Sequence, residues 1–194
     1  ESQIYDLLNK SDFTAPKFQC CRKLEDIDTS LFKDGDSIVI KGEVEGVFHK
    51  SDIGLVNIGT YSVEKAKDLF SKWSDQFEEN FKSILLIEKV SFQKISGFPS
   101  EIFLSVRHED SYGPVARLGI GGIHSEFWGK RHAPIIITQD HSVIDVLEEL
   151  SFHIVGHLWF GLLRQEKALV DVPMAKKFIQ SILNLLKRND LPSL

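Results

Sequence analysis

The chain has 194 residues, enough for one domain or two small lobes sharing a core. It is 42% hydrophobic and 26% charged, as globular proteins are, and its formal net charge of −5 excludes generic nucleic-acid binding through a basic face while leaving a local basic cleft open. No run is apolar and long enough to span a bilayer and no signal peptide opens the chain at Glu1, so no membrane contact and a cytoplasmic location are expected.

Ile4, Leu7 and Leu8 give Ser2–Asn9 the spacing of a short amphipathic helix, which Asp12–Pro16 breaks. Phe18–Arg22 is a candidate short strand. It contains Cys20 and Cys21, neighbours that rarely bridge each other and read as small apolar side chains in a reducing compartment. Leu24–Leu31 is helix-like and stops at the turn Lys33-Asp34-Gly35-Asp36. Ser37–Lys41 is apolar on both faces and reads as a buried strand ending at Lys41; Val56–Ile58 begins the next. Ser62–Phe81 is the clearest helix, with Ser62 as N-cap and a stripe of Ala66, Leu69, Phe70, Trp73 and Phe77.

Ile84–Val90 reads as a buried strand carrying one acid, Glu88, and Ser91–Ser100 as a loop. Glu101–His108 alternates as a strand, and Pro114–Ile120 is another, opened by the Tyr112-Gly113 turn. Ser142–Leu163 reads as one or two helices interrupted at Gly156 and Gly161. Pro173–Leu186 is a final amphipathic helix, closed by Asn189-Asp190-Leu191-Pro192. Strands and helices intermix without a βαβ repeat, which suggests α+β or mixed α/β lobes.

Several residues could carry chemistry. Lys41 at a strand end can meet phosphate oxygens, or snorkel to water. His49-Lys50-Ser51-Asp52-Ile53-Gly54 packs donors into one turn, where backbone amides can form an anion nest and His49 can accept a phosphoryl group; the plainer reading is a polar hairpin turn. Glu88 in an apolar strand needs a partner such as a ribose diol, unless it sits at the strand's exposed end. Glu126, after Gly119-Ile120-Gly121-Gly122, could bind a metal or be solvated. His153 and His157 have i, i+4 spacing, but their apolar surroundings read as a core or interface helix.

At these residues the chain resembles the ATP-grasp domain of the NDP-forming acyl-CoA synthetases, in particular the acetyl-CoA synthetase (ADP-forming) β-subunit group, with succinyl-CoA synthetase β more distant. The matching positions, in order, are Lys41, His49 through Val56, Glu88, Glu101, Tyr112-Gly113-Pro114, and Gly119 through Gly122 with Glu126. The resemblance covers roughly the whole chain. It implies an α/β (α+β) ATP-grasp fold: an N-terminal helix over 1–13, a first lobe over 14–82 and a second over 83–194, with a nucleotide cleft between the lobes. It implies that Lys41 holds ATP phosphates, that His49, Lys50 and Ser51 cover them, that Glu88 sits at the adenosine hinge with Ser91 close by, and that Glu101 reaches the ribose. It also implies ATP/ADP and Mg²⁺ as cofactors, with CoA held by partner domains. The partners implied are CoA-binding and ligase domains or an α subunit, in a homo-oligomer or not. The resemblance further implies that His49 matches the residue proposed to relay phosphate from a partner domain's phosphohistidine.

Three departures accompany the match. Leu55 stands where the family has a second glycine. His108-Glu109 stands where it has Arg-Asp. The family's last helix leads to an Asn-Pro strand supplying Mg²⁺ ligands, whereas this sequence stops at Leu194, so a domain truncated at its C-terminus is expected. The expected function is therefore the nucleotide-binding part of an acid–thiol ligase, transferring phosphoryl groups between ATP/ADP and an acyl-phosphate or phosphohistidine intermediate. The alternative is a catalytically degenerate binding or regulatory module of a larger synthetase-like or acyltransferase protein.

Overall fold

Within the first 91 residues, helix α1 (Ser2–Asn9) precedes β1 (Phe18–Cys21), β2 (Ser37–Val44), β3 (Val56–Thr60), α2 (Val63–Phe77) and β4 (Phe81–Glu88), and the strands form one antiparallel sheet in the order β1-β4-β2-β3. The structure is a computed structural model that describes residues 2–47, 49–92, 101–122, 125–163, 167–188 and 191. Residues paired across an antiparallel ladder share a face, so the register assigns every strand residue a side.

One face carries Cys21, Ile84, Leu86, Ile38, Ile40, Gly42 and Val44, and α2 lays Ala66, Phe70 and Trp73 into the same core. Gly42 is what lets α2 come close. Its amide donates to Leu55 O (2.9 Å), and a Cβ there would lie 2.7 Å from Leu55 Cδ2 and 3.2 Å from Trp73 Cε3. The strand therefore does not end at Lys41, as the sequence suggests; Gly42 is a packing position inside β2, which runs on to Val44.

Ser62 caps α2 by accepting from Lys65 N (3.1 Å), as expected. The helix stops at Phe77, earlier than the pattern implies, because a single 3₁₀ turn (Glu78–Asn80) with Glu78 at φ 47° feeds β4 directly. Leu24–Leu31 is not a helix beyond the 3₁₀ turn Leu24–Asp26. Asp26 Oδ2 accepts from the amides of Arg22 (2.9 Å) and Lys23 (3.2 Å), and Asp28 Oδ1 accepts from Ser30 N (2.8 Å), so side chains take backbone bonds that a helix needs. On α1, Tyr5 makes the stacking contact, against Phe18 with ring centroids 4.9 Å apart, while Ile4 is exposed.

The chain forms two units, Glu1–Ser91 and Phe92–Leu194. The lobe boundary expected at 82/83 would cut β4, which pairs with both β1 and β2; the first unit also includes residues 1–13. The second unit holds β5 (Ile102–Glu109), β6 (Gly113–Ile120), α3 (Ser125–Gly129), β7 (Ile135–Ile137), α4 (Val143–Phe152), α5 (Ile154–Trp159) and α6 (Val172–Leu186), with sheet order β5-β6-β7. Leu104, Leu118 and Ile135 share a row, as do Val106, Ala116 and Ile137. α5 and α6 pack against β6 and α4 packs against β7, burying Val146, Leu150, Val155, Ile179 and Ile182. The break between α4 and α5 falls at His153; Gly156 lies inside α5. Short α3 has no clear sequence signal, whereas β7 is the β-branched run Ile135–Ile137, which the sequence reading passed over. The expected loop at 93–100 and most of the tail after 188 lie outside the described residues. Among the described residues no helix is long and apolar enough to cross a membrane.

Gly42→Ala is expected to destabilise the first unit by about 1–3 kcal/mol through overpacking. Amide exchange in β2 and β4 should then accelerate roughly 5- to 160-fold; unchanged exchange would show that Leu55 and Trp73 yield without cost.

Candidate functional site

The sheet face turned away from α2 carries two complete rows. Cys20, Leu85, Lys41 and Val56 form one, and Phe18, Ile87, Val39 and Ile58 the next. On the other side of Lys41 stands the pair Glu43 and Ser83. Lys41 is half-buried and Leu85 fully buried, while Ile58 is 60% exposed at the edge strand. Among the residues that the ladder register places on this face, Lys41 is the one cation and Glu43 the one anion; Lys82, at the irregularity between β2 and β4, meets Glu45 at 2.8 Å. Ser83, only 2% exposed, donates from Oγ to Glu43 Oε2 at 2.6 Å, the length of a charge-assisted bond. Sequence reasoning overlooked Glu43 because it stopped the strand at Lys41, and Ser83 because it began the next paired strand at Ile84. Continuing the period-2 pattern by two residues puts Glu43 on the lysine's face.

The His49–Gly54 turn is anchored beside this row, since Gly42 N bonds Leu55 O and Val56 pairs with Lys41. His49 and Ser51 are exposed and Lys50 is half-buried. The turn is not an open anion nest. Asp52 N donates to His49 O (3.2 Å), Gly54 N to Ser51 O (3.3 Å) and Leu55 N to Lys50 O (2.9 Å), so those amides are used within the loop. Leu55, the departure from the family's glycine, is fully buried in the core, where its side chain covers Gly42.

Glu88 is the last residue of β4 and is exposed, so it is the strand-end acid rather than a buried one. Its register partner is Ile38, which places it on the α2 face, opposite to Lys41. Its Oε2 accepts from Lys17 N at 3.1 Å. Ser91 is exposed. Glu101 and Glu126 belong to the second unit and are both exposed. Gly121 N donates to Glu101 O (2.8 Å), and a Cβ at Gly121 would lie 2.8 Å from the Ile102 carbonyl carbon, so this glycine permits a close backbone approach. Glu109, at the family's Asp position, pairs with Arg107 and lies 4.0 Å from Arg117.

His153 and His157 do not form a ligand pair. His153 Nε2 donates to Ala133 O (2.9 Å) while Nδ1 accepts from Val155 N (3.2 Å), capping α5; His157 Nε2 donates to Ser151 O (3.1 Å). Burial pushes His153 below its ordinary value, reinforced by His132 and His157 and opposed by the Ala133 bond and Glu149. The two thiols are free; burial, then Asp26, Cys20 and Asp28, push Cys21 up to about 12, an inert thiol. Among the described residues no group of three or more His, Cys, Asp or Glu could hold a metal ion, so these side chains alone do not fit Mg²⁺. The apolar rows of this face are largely covered, with Leu85 and Ile87 buried and Tyr5 of α1 stacked on Phe18; the half-buried ammonium of Lys41 is the group of this face whose chemistry suits a phosphate.

The ATP-grasp domain family matches residues 1–187, and the chain belongs to it. It is 26% identical over 133 residues to the 4-hydroxybutyrate–CoA ligase [ADP-forming] of Nitrosopumilus maritimus, covering 65% of this chain and 18% of that protein. It is 25% identical over 126 residues to the acetate–CoA ligase [ADP-forming] I subunit beta of Pyrococcus furiosus, covering 65% of this chain and 54% of that subunit. The chain thus spans about a fifth to a half of the length of these relatives. In fold it matches the dinucleotide-forming acetyl-coenzyme A synthetase 1 of Ca. Korarchaeum cryptofilum, solved with coenzyme A and Ca-AMPCP, with a TM-score of 0.68 at 18% identity over 94% of this chain and 76% of that one.

Because His153 binds protons less readily folded than unfolded, the unfolded chain holds the extra proton between the folded value and about 6.5. The stability His153 contributes is complete above about pH 6.5 and declines as pH falls toward the folded value. An imidazole NMR titration should place His153 below 6.5, and His153→Gln should flatten the fall in thermal midpoint between about pH 6.5 and 5. An equal fall in both proteins would remove His153 from the pH response.

Proposed function

We propose that this chain is the nucleotide-binding part of an ADP-forming acyl-CoA synthetase-like protein, and that ATP or ADP lies on the Lys41 face of the first sheet. The observation that carries this reading is the half-buried ammonium of Lys41 on the face opposite α2, beside the buried Leu85, with the His49–Gly54 turn at the end of its row. An apolar surround lowers the local dielectric and strengthens a charge–phosphate contact. Lys41 holds phosphate oxygens, while Lys50, His49 and Ser51 add donors from the loop at the end of the same row. His49 is exposed, so its ring nitrogen is accessible to accept a phosphoryl group.

Glu88, Ser91 and Glu101 remain proposed contacts to the nucleoside. Lys17 engages both the carboxylate and the amide of Glu88, so a nucleoside contact at this residue would fall to its strand-end carbonyl. Bound nucleotide brings Mg²⁺ with it to neutralise its phosphate charge. The ligase relatives and the β-subunit relative support a larger assembly, in which CoA-binding and ligase domains or an α subunit complete the reaction.

Isothermal titration with ATP and ADP in the presence of Mg²⁺ tests the site. Lys41→Ala is expected to weaken binding by about 1.5–3 kcal/mol, roughly 10- to 160-fold; unchanged affinity would take Lys41 out of the site. His49→Ala in the full synthetase should abolish turnover with only a modest loss of nucleotide affinity. Equal losses would make His49 a binding residue, and binding without any turnover in the unaltered protein would identify the regulatory module.

A further inference from the structure

We infer that the free edge of β7 is a docking groove for an extended segment of a partner protein in which apolar side chains alternate with lysine or arginine. The groove lies wholly within the second unit, and the inference is independent of where nucleotide binds.

β7 pairs with β6 on one side and, among the described strands, with none on the other. Every second N–H and C=O of an antiparallel edge strand points away from its neighbour, so such an edge can accept an added strand. Along this edge runs an open groove of about 500 Å³, lined by Pro134, Ile135 and Ile136 on the strand side and by Glu149, Phe152 and His153 at the end of α4. Phe152 is 82% exposed and Ile136 42%, so a docked segment has apolar surface to cover. His153 is already committed, with Nε2 on Ala133 O (2.9 Å) and Nδ1 on Val155 N (3.2 Å). Glu149 is therefore the charged group of the lining that is left to meet a ligand.

The two sides of the edge ask for different side chains. Ile136 lies on the sheet face opposite the helices, in one row with Arg117. Glu149 and Phe152 come from α4 on the helix side. An added strand alternates its side chains between these faces. On the helix side, the stem of a lysine or arginine covers the Phe152 ring while its head reaches Glu149. On the other side, an apolar residue packs beside Ile136, where Arg117 disfavours a second cation.

The surrounding charge selects the same partner. From Ala133 to Leu163 there are four carboxylates, Asp140, Asp145, Glu148 and Glu149, all exposed, and no lysine or arginine. Asp145, Glu149 and Phe152 are spaced i, i+4, i+7 and share one side of α4. Of the neighbouring cations, Arg117 faces Glu109 at 4.0 Å, Arg131 lies 3.8 Å from the centre of the Phe127 ring, and His141 stands 4.0 Å from Glu149. A second copy of this chain is a poorer occupant, since residues 133–137 bring no cation and each copy adds its own Glu149.

The test titrates the chain with three capped peptides at about pH 7.5, above the ordinary imidazole value. One alternates lysine and valine, one alternates glutamate and valine, and the third is the lysine peptide N-methylated along its backbone, which keeps the side chains and removes the amide donors. The lysine peptide should bind about tenfold or more tighter than the glutamate peptide and shift the amide resonances of β7 and the end of α4. N-methylation should abolish binding. Glu149→Gln and Phe152→Ser, both at exposed positions, should each weaken it roughly two- to fivefold, and the amide spectrum reports that each variant is folded. Equal affinity for the lysine and glutamate peptides, binding that survives N-methylation, or binding unchanged in both folded variants overturns the inference. So does the absence of shifts in these amides at about 1 mM lysine peptide. A concentration-dependent dimer in sedimentation, dissolved by Ile136→Lys, would give the edge to a second copy and overturns it too.

Discussion

The contact of Gly42 with Leu55 and Trp73 decides which way every side chain of the first sheet points. A strand slipped by one residue exchanges its two faces. Here such a slip would push Lys41 under Trp73, where an ammonium has no water and no carboxylate to pair with, and would turn Ile38 and Ile40 outward. The missing Cβ at position 42 admits the Leu55 side chain, and that contact ties the end of the 45–55 loop to the strand it left. Strand register, helix docking and the position of the His49 turn are consequently one constraint. Leu55 is part of it: the residue that departs from the family's glycine is what fills the gap above Gly42.

The second unit solves a similar problem with different groups. Phe103 lies across Gly119, and Gly121 lets its strand end approach the Ile102 backbone, so the glycine cluster serves packing between β5 and β6. At the other end, the change of direction between α4 and α5 is made by a neutral imidazole. His153 joins Ala133 O, just before β7, to the first turn of α5 with one nitrogen donating and the other accepting. A protonated ring could not accept from Val155; burial and the neighbouring histidines favour the neutral ring, and its bonds to Ala133 O and Val155 N set the tautomer.

The element pattern was legible wherever burial and period agreed. The runs at Ser37, Ile84 and Pro114 became strands, and Ser62 capped its helix, because local propensity and tertiary environment made the same demand there. The failures have specific causes. Gly42 looked like a strand terminus because a close approach from a helix 31 residues later leaves no local trace. Leu24–Leu31 carried helical spacing, but Asp26 and Asp28 bonded backbone amides that only the folded loop brings within reach. For the site, Lys41 and the 49–54 turn were readable as neighbours because one strand and its loop link them. Glu88 was not, since its face depends on how β4 pairs with β2, and Glu43 was lost with the misplaced strand end.

How this face would recognise an anion follows from what its loop amides do. A phosphate-binding loop that works by direction keeps several N–H groups unpaired and convergent. In the 49–55 turn, the amides of Asp52, Gly54 and Leu55 already donate to carbonyls of the same turn. Recognition there would then depend on side-chain charge more than on backbone geometry. Charge acts over several ångströms and is screened by salt, so it discriminates by how many charges a ligand carries rather than by where each oxygen lies. A site of this type gains selectivity by balancing its cation rather than by adding donors.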